Sequence, residues 1–414
     1  MTHFGIVSPP VQGHLNPFGA LGRELIVRGH AVTCFQVEDL RDKIQSEGLG
    51  FHAIGHSDHP VGALHKSLAA VGQLKGLAAL RFTVAAIAKT THMVCRDAPA
   101  ALRAAGVQAL LVDQMEPAGG AVAEHLGLPF ITVCNALAVN RDPVTPPPFT
   151  PWRFYDASWA RLRNRVGYAV SDWFTSPIAN AVAQHRAAWG LAPLRSQDDS
   201  FSKLAQICQM PREFDFPRQA LPPNFSYVGP LHGARPKHVA FPWERLNGRP
   251  LIYASLGTQQ GNRAQVFRSI AQACEGLNAQ LVITLGGVAV PDGLHDLPGA
   301  PIVVSYAPQL DLLERAALTV THAGLNTTME SLSYGVPMVA LPITYEQPAI
   351  ARRIEACGVG LSTSLGALKV NRLRALIKAV LEEPRYTQAA RQMAQHIVQA
   401  GGVRRAADII ERAV

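Results

Sequence analysis

The chain has 414 residues, of which 48% are hydrophobic and 16% are charged, against about 25% charged residues in an average globular domain. This length exceeds what one ordinary hydrophobic core supports, so the sequence predicts two domains. The net charge is +8, but the cations are spread along the chain and form no run. The composition therefore does not favour a nucleic-acid partner.

The six cysteines are isolated and form no CxxC pair, so we expect free thiols without a metal or redox role. No segment approaches the ~18 apolar residues that a membrane span needs. The strand pattern begins at Phe4, so we expect no leader. We expect a cytoplasmic location. The basic surface leaves open a peripheral contact with the inner face of the membrane.

The first elements form a strand–helix–strand unit. Residues 4–8 predict a buried strand, residues 9–14 a turn, residues from about 16 to 28 an amphipathic helix, and residues 31–37 a second strand. Such a unit is typical of a parallel, doubly wound α/β sheet. Its first turn lacks the GxGxxG pattern, so a dinucleotide cofactor receives no support.

A histidine and an aspartate in this region are candidates for acid–base chemistry. His14 lies in the turn after the first strand, and Asp113 ends the strand predicted at residues 109–112. Open α/β sheets bind their ligands at the carboxyl ends of the strands. His14 alone is typical of an ordinary turn. Paired with Asp113, it could remove a proton near neutral pH.

Three further segments of this region allow more than one structural or functional interpretation. His56, His59 and His65 lie in or near a loop, which favours a loop or pocket wall over a metal site. Residues 143–151 contain five prolines and predict an extended loop lining an entrance. Residues 152–189 predict helix, either packed on the first domain or forming a cap over an acceptor site.

The most informative stretch runs from Tyr306 to Gln347. It predicts a strand, a tight turn His322-Ala323-Gly324-Leu325-Asn326, a helix, a second strand and a second turn. A helix N-terminus offers unpaired N–H groups and partial positive charge, which suit a phosphate. Glu330 lies about one helical turn beyond Asn326 and can accept hydrogen bonds from sugar hydroxyls.

The alternation of strands and helices divides the chain into two domains joined by a linker. We predict a first domain at residues 1–231, a linker at 232–249 and a second α/β domain at 250–395. The second domain starts with a strand and a Gly-rich turn at residues 256–261. A C-terminal helix at residues 396–414 could return to the first domain.

The order of these pieces resembles the UDP-glycosyltransferase superfamily. The resemblance implies the GT-B fold: two facing Rossmann-like α/β domains, with parallel sheets and a cleft between them. More narrowly, residues 112–119, 254–258 and 401–410 resemble bacterial zeaxanthin glucosyltransferases. The resemblance extends from Phe4 to Val414. It implies that the first domain binds the acceptor and the second binds the nucleotide sugar.

The resemblance also implies residue roles. His14 matches the catalytic base, and Asp113 matches the acid that orients it. His322, Asn326 and Thr327 match the diphosphate ligands. The full nucleotide-sugar set comprises Thr258, Tyr306, Ala307, Gln309, His322, Gly324, Asn326, Thr327, Glu330, Glu346 and Gln347.

The remaining members of this set have separate roles. Gln309 and Glu330 match ribose contacts, and Thr258 matches a hydroxyl near the phosphate. Tyr306 replaces the usual uracil-stacking Trp with a smaller ring. Glu346 and Gln347 match contacts to the sugar hydroxyls, although the family usually has Asp where this chain has Glu.

The implied function is inverting transfer of a sugar, expected to be glucose, from a UDP-sugar to a small lipophilic hydroxylated acceptor. The narrower resemblance favours a carotenoid such as zeaxanthin. A flavonoid, sterol or macrolide acceptor stays open, as does a UDP-sugar epimerase or a non-catalytic UDP-binding module. The UDP-sugar is a co-substrate and no cofactor is expected. The sequence lacks a DxD pair, which predicts activity without a metal.

Overall fold

The computed structural model describes residues 1–64, 66, 76–233, 239–258, 263–294 and 296–414. Parts of the predicted linker and of the Gly-rich turn at 256–261 lie outside the described residues, as does His65. The described chain forms two parallel sheets with helices on their faces. We call each sheet with its helices a lobe.

The first lobe contains a seven-stranded parallel sheet with strand order β3-β2-β1-β4-β5-β6-β7. Its strands are β1 (His3–Val7), β2 (Ala31–Gln36), β3 (Gly50–Ala53), β4 (Ala109–Asp113), β5 (Phe130–Cys134), β6 (Gln206–Cys208) and β7 (Phe225–Tyr227). Its helices are α1 (Gln12–Val27), α2 (Arg41–Ser46), α3 (Gly76–Ala104), α4 (Gly119–Leu126) and α5 (Ser158–Ala188). All five residues of β4 are buried, as expected for a strand covered on both faces.

The second lobe contains a six-stranded parallel sheet with order β10-β9-β8-β11-β12-β13. Its strands are β8 (Leu251–Ser255), β9 (Gln280–Thr284), β10 (Ile302–Val304), β11 (Ala316–Thr321), β12 (Met338–Ala340) and β13 (Gly360–Ser362). The helices that follow β8 are α6 (Ala264–Cys274), α7 (Gln309–Leu313), α8 (Leu325–Ser333), α9 (Gln347–Ala356), α10 (Val370–Glu382), α11 (Pro384–Ala400) and α12 (Gly402–Ala413). Counted within each lobe, both sheets follow the Rossmann order 3-2-1-4-5-6, and the first lobe adds a seventh strand at the edge. The predicted fold class is confirmed.

Helix α1 begins earlier than the sequence predicted. The prediction started it at about Asn16, whereas the helix begins at Gln12 and places His14 in its first turn. Pro17 lies inside this helix and has no N–H to offer the carbonyl four residues before it, that of Gly13. The side-chain Nδ2 of Asn326 donates to that carbonyl at 2.7 Å. A donor from the other lobe therefore completes the bond that the proline omits.

The C-terminal helix α12 packs on α1 of the first lobe. Its residues Ala406, Ala407 and Ile410 are fully buried in the first-lobe core. The chain turns into this helix at Gly401, whose φ of 89° lies in the left-handed region that favours glycine. Arg28, which directly follows α1, adds ion pairs to α12 near the surface that contribute little. Apolar burial is therefore the main force that fixes the C-terminus on the first lobe.

A buried ion cluster joins the two lobes. Asp215 of the first lobe accepts hydrogen bonds from Arg353 of α9 at 2.7 and 2.9 Å and from Arg218 at 2.6 Å. The Arg353 guanidinium also lies 4.3 Å from the ring centroid of Phe216. Burial raises the pKa of the Asp215 carboxyl, but the two arginines outweigh burial and lower it. Removing one partner of such a cluster leaves a buried charge uncompensated.

In the described part of the chain, no helix combines the length and the apolar composition that crossing a bilayer requires.

Candidate active site

His14 and Asp113 meet at the carboxyl end of the first sheet. Nδ1 of His14 lies 2.8 Å from Oδ2 of Asp113. The carboxylate accepts, so Nδ1 carries the proton and Nε2 keeps its lone pair. The Asp113 side chain is fully buried and that of His14 is 20% exposed. The pair therefore presents a basic ring nitrogen that an incoming molecule can reach.

Asn135 holds this pair in place. It directly follows strand β5, and its Nδ2 donates to Oδ2 of Asp113 at 2.8 Å and to the backbone carbonyl of His14 at 3.3 Å. Both partners are acceptors, which fixes the orientation of the amide. The backbone N–H of Met115 donates to the other carboxylate oxygen at 2.8 Å. The Asp113 side chain thus accepts three hydrogen bonds, which fix its position.

The electrostatic surroundings favour a basic His14. Burial lowers the pKa of the imidazole, but the charge and hydrogen bond of Asp113, aided by Glu346 and Glu116, outweigh burial and raise it. Glu116 is itself buried beside the pair, and burial raises its pKa to about 7. His14 is therefore a stronger base than a free imidazole, and a second titrating carboxyl lies close to it.

The turn before α8 is strained and tightly packed. Ala323 has φ of 64°, a left-handed conformation that costs an L residue of order 1 kcal/mol. The imidazole of His322 fits against Gly257 and Gly324, because a Cβ on either glycine would lie 2.7 or 2.5 Å from the ring. Backbone strain of this kind concentrates at functional turns. The two glycines are needed so that the His322 ring can lie in the turn.

His322 is a neutral donor or acceptor at neutral pH. Burial lowers the pKa of its imidazole to about 4, against an opposing hydrogen bond with the Ser255 backbone. The N-cap of α8 is Gly324, which has no side chain to cap the first N–H groups. A helix start without a side-chain cap suits an anion. Positive potential at this position comes from the helix and not from the histidine.

Asn326, in the first turn of α8, connects the lobes. Its Nδ2 donates to the Gly13 carbonyl, one residue before His14, and its Oδ1 accepts from Nε2 of Gln209 at 2.9 Å. The same Nε2 of Gln209 donates to the backbone carbonyl of Asn135 at 2.6 Å. A continuous chain of hydrogen bonds therefore runs from Asp113 through Asn135 and Gln209 to the start of α8.

The two predicted ribose ligands lie together. Nε2 of Gln309, at the start of α7, donates to a carboxylate oxygen of Glu330 in α8. The hydroxyl of Tyr253 donates to Oε1 of Gln309 at 2.9 Å. Glu330 is only 2% exposed. The pair is therefore oriented from behind by Tyr253, a residue that the sequence did not single out.

The predicted uracil and phosphate contacts at the edge of the lobe differ in accessibility. Tyr306 is 48% exposed and its neighbour Ala307 is buried, so the tyrosine ring is open to stacking. Thr258 is exposed after Gly257. A Cβ on Gly286 would lie 2.8 Å from the Thr258 backbone, so this glycine allows the loop to pack closely. The neighbouring residues 259–262 lie outside the described part.

The predicted sugar contacts lie at the start of α9. Glu346 is its N-cap, and burial raises the pKa of its carboxyl while the nearby His14 opposes the rise. Oε1 of Gln347 accepts from the N–H groups of Ile343 and Thr344 at 2.9 Å each. Tyr345, which lies between Thr344 and Glu346, has a φ of 54°. In this structure Gln347 holds the strained loop, and the hydroxyl contact predicted for it stays a prediction.

The structure brings His14 and Asp113 together, and also Gln309 and Glu330. The roles that the resemblance implies for them stay predictions. Sequence reasoning missed Asn135, Gln209 and Tyr253. Asn135 follows a strand just as Asp113 does, so its position at a carboxyl end was an available signal. No local pattern distinguishes Gln209 or Tyr253 from ordinary buried polar residues.

Solved structures share this architecture along the whole chain. The glycotransferase of kitacinnamycin superposes with a TM-score of 0.78 and 22% identity, covering 100% of this chain and 99% of that one. CalG4, the calicheamicin glycosyltransferase, gives a TM-score of 0.78 and 20% identity, covering 100% and 98%. Two Rossmann-like lobes arranged as in these proteins define the GT-B class of fold.

Sequence relatives identify the protein family within this class of fold. The profile of the family described as UDP-glucoronosyl and UDP-glucosyl transferase matches residues 59–397. Zeaxanthin glucosyltransferase of Pantoea ananas is 37% identical over 415 residues, covering 100% of this chain and 96% of that protein. Its counterpart in Pseudescherichia vulneris is 36% identical over 420 residues, covering 100% and 98%. The chain belongs to this family and is a glycosyltransferase.

Proposed function

We propose that this enzyme transfers glucose from UDP-glucose to a hydroxyl of a lipophilic acceptor, with inversion at the anomeric carbon. The observation that carries the proposal is the contact between Asn326 and the Gly13 carbonyl. It places the start of α8, which suits a diphosphate, beside the helical turn that holds His14. A base and an anion site so close together suit a reaction between an acceptor hydroxyl and a phosphorylated sugar.

The proposed reaction has one chemical step. Nε2 of His14 takes the proton of the acceptor hydroxyl, and Asp113 stabilises the imidazolium that forms. The acceptor oxygen forms a bond to the anomeric carbon as the bond from that carbon to the diphosphate oxygen breaks. The bonding electrons leave with UDP. An α-linked donor therefore gives a β-glycoside.

Protein groups would meet the charge that develops on the leaving diphosphate. The N–H groups at the start of α8 are the main source, with Asn326 and the neutral His322 as further hydrogen-bond partners. A metal ion is not part of this proposal. Full activity in excess EDTA would support it, whereas a loss of activity that Mg²⁺ restores would contradict it.

The donor and acceptor identities rest on different support. The buried pair Gln309 and Glu330 suits the two ribose hydroxyls, and the exposed Tyr306 suits stacking on uracil. For the acceptor, support comes from the two relatives named zeaxanthin glucosyltransferase. We therefore propose a carotenoid diol, with flavonoid, sterol and macrolide acceptors as the alternatives to be tested.

The test is an incubation of the purified chain with UDP-glucose and zeaxanthin, followed by mass spectrometry. We expect a mass increase of one or two hexosyl units and release of UDP. Parallel reactions with other UDP-sugars and with the alternative acceptors rank the substrates. Nuclear magnetic resonance of the product should show a β-linkage, and an α-linkage would contradict inversion.

Two controls distinguish other activities. Incubation with UDP-N-acetylglucosamine and no acceptor would reveal an epimerase by a change in the sugar. Calorimetry would reveal a binding module by UDP binding without turnover. A His14→Ala variant that kept full glucosyl transfer would refute the assigned base.

A further inference from the structure

Helix α5 turns an apolar stripe toward solvent. Five of its side chains have exposed fractions between 49% and 69%. We call these residues the outward stripe: Trp159, Leu162, Val166, Val170 and Trp173. Single exposed apolar residues are ordinary, but five in one contiguous row are not.

Helix geometry places these residues on one face. Their spacings of three, four, four and three residues keep them within about 80° of the helix circumference at 3.6 residues per turn. The opposite face carries Ala160 and Asn164, which are buried. The stripe therefore points directly away from the first lobe. In a surface helix of a globular protein the apolar face normally points toward the core.

Arginines surround the stripe. Residues 153–173 contain four arginines and two aspartates. Both aspartates are neutralised, because Asp156 pairs with Arg161 and Asp172 pairs with Arg141. Arg153 and Arg165 are exposed, and no ion pair is found for either among the described residues. This surface is therefore both apolar and positively charged.

We propose that the outward stripe docks this enzyme on an anionic lipid bilayer. A Trp at each end suits the boundary between headgroups and acyl chains, and Leu162 with the two valines between them can enter that boundary. The free charges of Arg153 and Arg165 complement anionic headgroups. The partner is thus a membrane surface on which α5 lies flat.

The proline-rich loop at residues 143–151 packs on the face of α5 opposite the stripe. Nδ2 of Asn164 donates to the carbonyls of Pro143 and Val144 at 2.9 and 3.1 Å, so this loop is tied to α5. Phe149 in the loop is exposed. The same chain segment leads back to Asn135, which contacts both His14 and Asp113. Resting on the proposed function, docking through α5 would bring the lobe that carries His14 to the bilayer in which a lipophilic acceptor dissolves.

The test is co-sedimentation of the full chain with vesicles. Vesicles of equal parts phosphatidylcholine and phosphatidylglycerol should bind the enzyme at low salt, and pure phosphatidylcholine vesicles should bind it more weakly. Trp159→Glu with Trp173→Glu should reduce binding at least about tenfold, because two interfacial rings are lost and two negative charges are added. Replacing Arg153 and Arg165 by Gln should cost about fivefold each on the anionic vesicles.

A matched control is Val398→Glu on α11. Val398 is 77% exposed, and its helix packs on α8 of the second lobe, so this charge should leave vesicle binding unchanged. Equal binding by the stripe variant and the parent chain would overturn the proposal, as would no binding to anionic vesicles. A dimer in solution that the stripe variant dissociates would also overturn it, by assigning the stripe to a second copy of the chain.

Transfer to a detergent-dispersed acceptor separates this proposal from the proposed function. The stripe variants should keep that activity, because the stripe lies on the outer face of α5. An enzyme that binds vesicles but transfers no sugar would refute the proposed function and leave the docking surface standing. An enzyme that transfers sugar but ignores vesicles would refute the docking surface alone.

Discussion

The two sides of the site differ in how far they are assembled without substrate. On the proposed acceptor side, Asp113 accepts three hydrogen bonds, and Nε2 of His14 has no hydrogen-bond partner among the described residues. On the proposed donor side, the side-chain polar atoms of Asn326 and the side-chain Oε1 of Gln347 are already engaged by protein groups. The proposed base is therefore assembled before substrates bind, whereas the proposed donor ligands would exchange protein contacts for contacts to the donor.

This difference has an energetic consequence. Exchanging a protein hydrogen bond for one to a phosphate changes the free energy little, because a net hydrogen bond contributes only about 1 kcal/mol. The contacts that Asn326 makes to Gly13 and Gln209 therefore hold the lobes together without blocking the donor. Donor-side variants should change the donor KM, and acceptor-side variants should change kcat.

The largest effect should come from Asp113→Asn. The amide would present a donor to Nδ1 of His14 and favour the wrong tautomer, so we expect kcat/KM to fall by about 10⁴-fold, as in other His–Asp pairs. His14→Ala should cost about 10²- to 10⁴-fold. Steady-state kinetics of the two variants measure both. His396→Ala, on the surface of α11, is the matched control and should keep full activity.

The next effect concerns the buried ion cluster of Asp215, Arg218 and Arg353, which joins the two lobes. Arg353→Met leaves the buried Asp215 with Arg218 and the Tyr227 hydroxyl. The lost charge partner should reduce the free energy of unfolding by about 3–5 kcal/mol. The pKa of Asp215 is lowered in the folded state, so its contribution is present above the unfolded pKa and is lost as pH falls. Urea titrations should therefore show a loss that is largest at neutral pH. A constant loss down to acid pH would contradict this explanation.

A smaller effect is expected for Asn135→Ala. A hydrogen bond to a charged group contributes about 1.5–3 kcal/mol, so kcat should fall roughly 10- to 100-fold if Asn135 positions the Asp113 carboxylate. The donor KM should stay within about twofold of its original value, because Asn135 lies on the acceptor side. A rise in donor KM without a fall in kcat would show that Asn135 acts through Gln209 on the donor side instead.

The smallest effect should follow from Glu330→Gln. Losing one charged hydrogen bond to a ribose hydroxyl should raise the KM for UDP-glucose about tenfold and leave kcat nearly unchanged. The matched test uses a donor that lacks the ribose hydroxyls. The original enzyme should lose affinity for that donor, and the variant should lose little more. A fall in kcat with an unchanged KM would show that Glu330 does not bind the ribose of the donor.

Local sequence patterns predicted the α/β fold. The strand ends and the family resemblance together predicted that His14 pairs with Asp113. Strand–helix alternation indicated the α/β domains but did not predict the short strands β3, β6 and β13. The turn before Leu325 was visible as a helix start. The start of α1 was wrong by about one turn. The sequence shows Pro17 but not the Asn326 side chain that donates to Gly13 in its place.

Long-range polar contacts could not be predicted from one sequence. Gln209 and Asn326 are separated by 117 positions, and Asp215 and Arg353 by 138. A buried glutamine or arginine carries no periodic signal, and its partner is decided by how the lobes pack. The outward stripe had the helical spacing of a core face, and only the structure shows that it points to solvent.

The central claim is that His14, made more basic by its surroundings, removes the acceptor proton. The pH dependence of kcat/KM for the acceptor, measured at saturating donor, tests this most directly. His14 must be neutral to act, so the rate should fall as pH drops through an apparent pKa above the ordinary 6.5. Glu116→Gln should move that fall to lower pH, because it removes a nearby negative charge. A rate without this acidic limb would contradict the account.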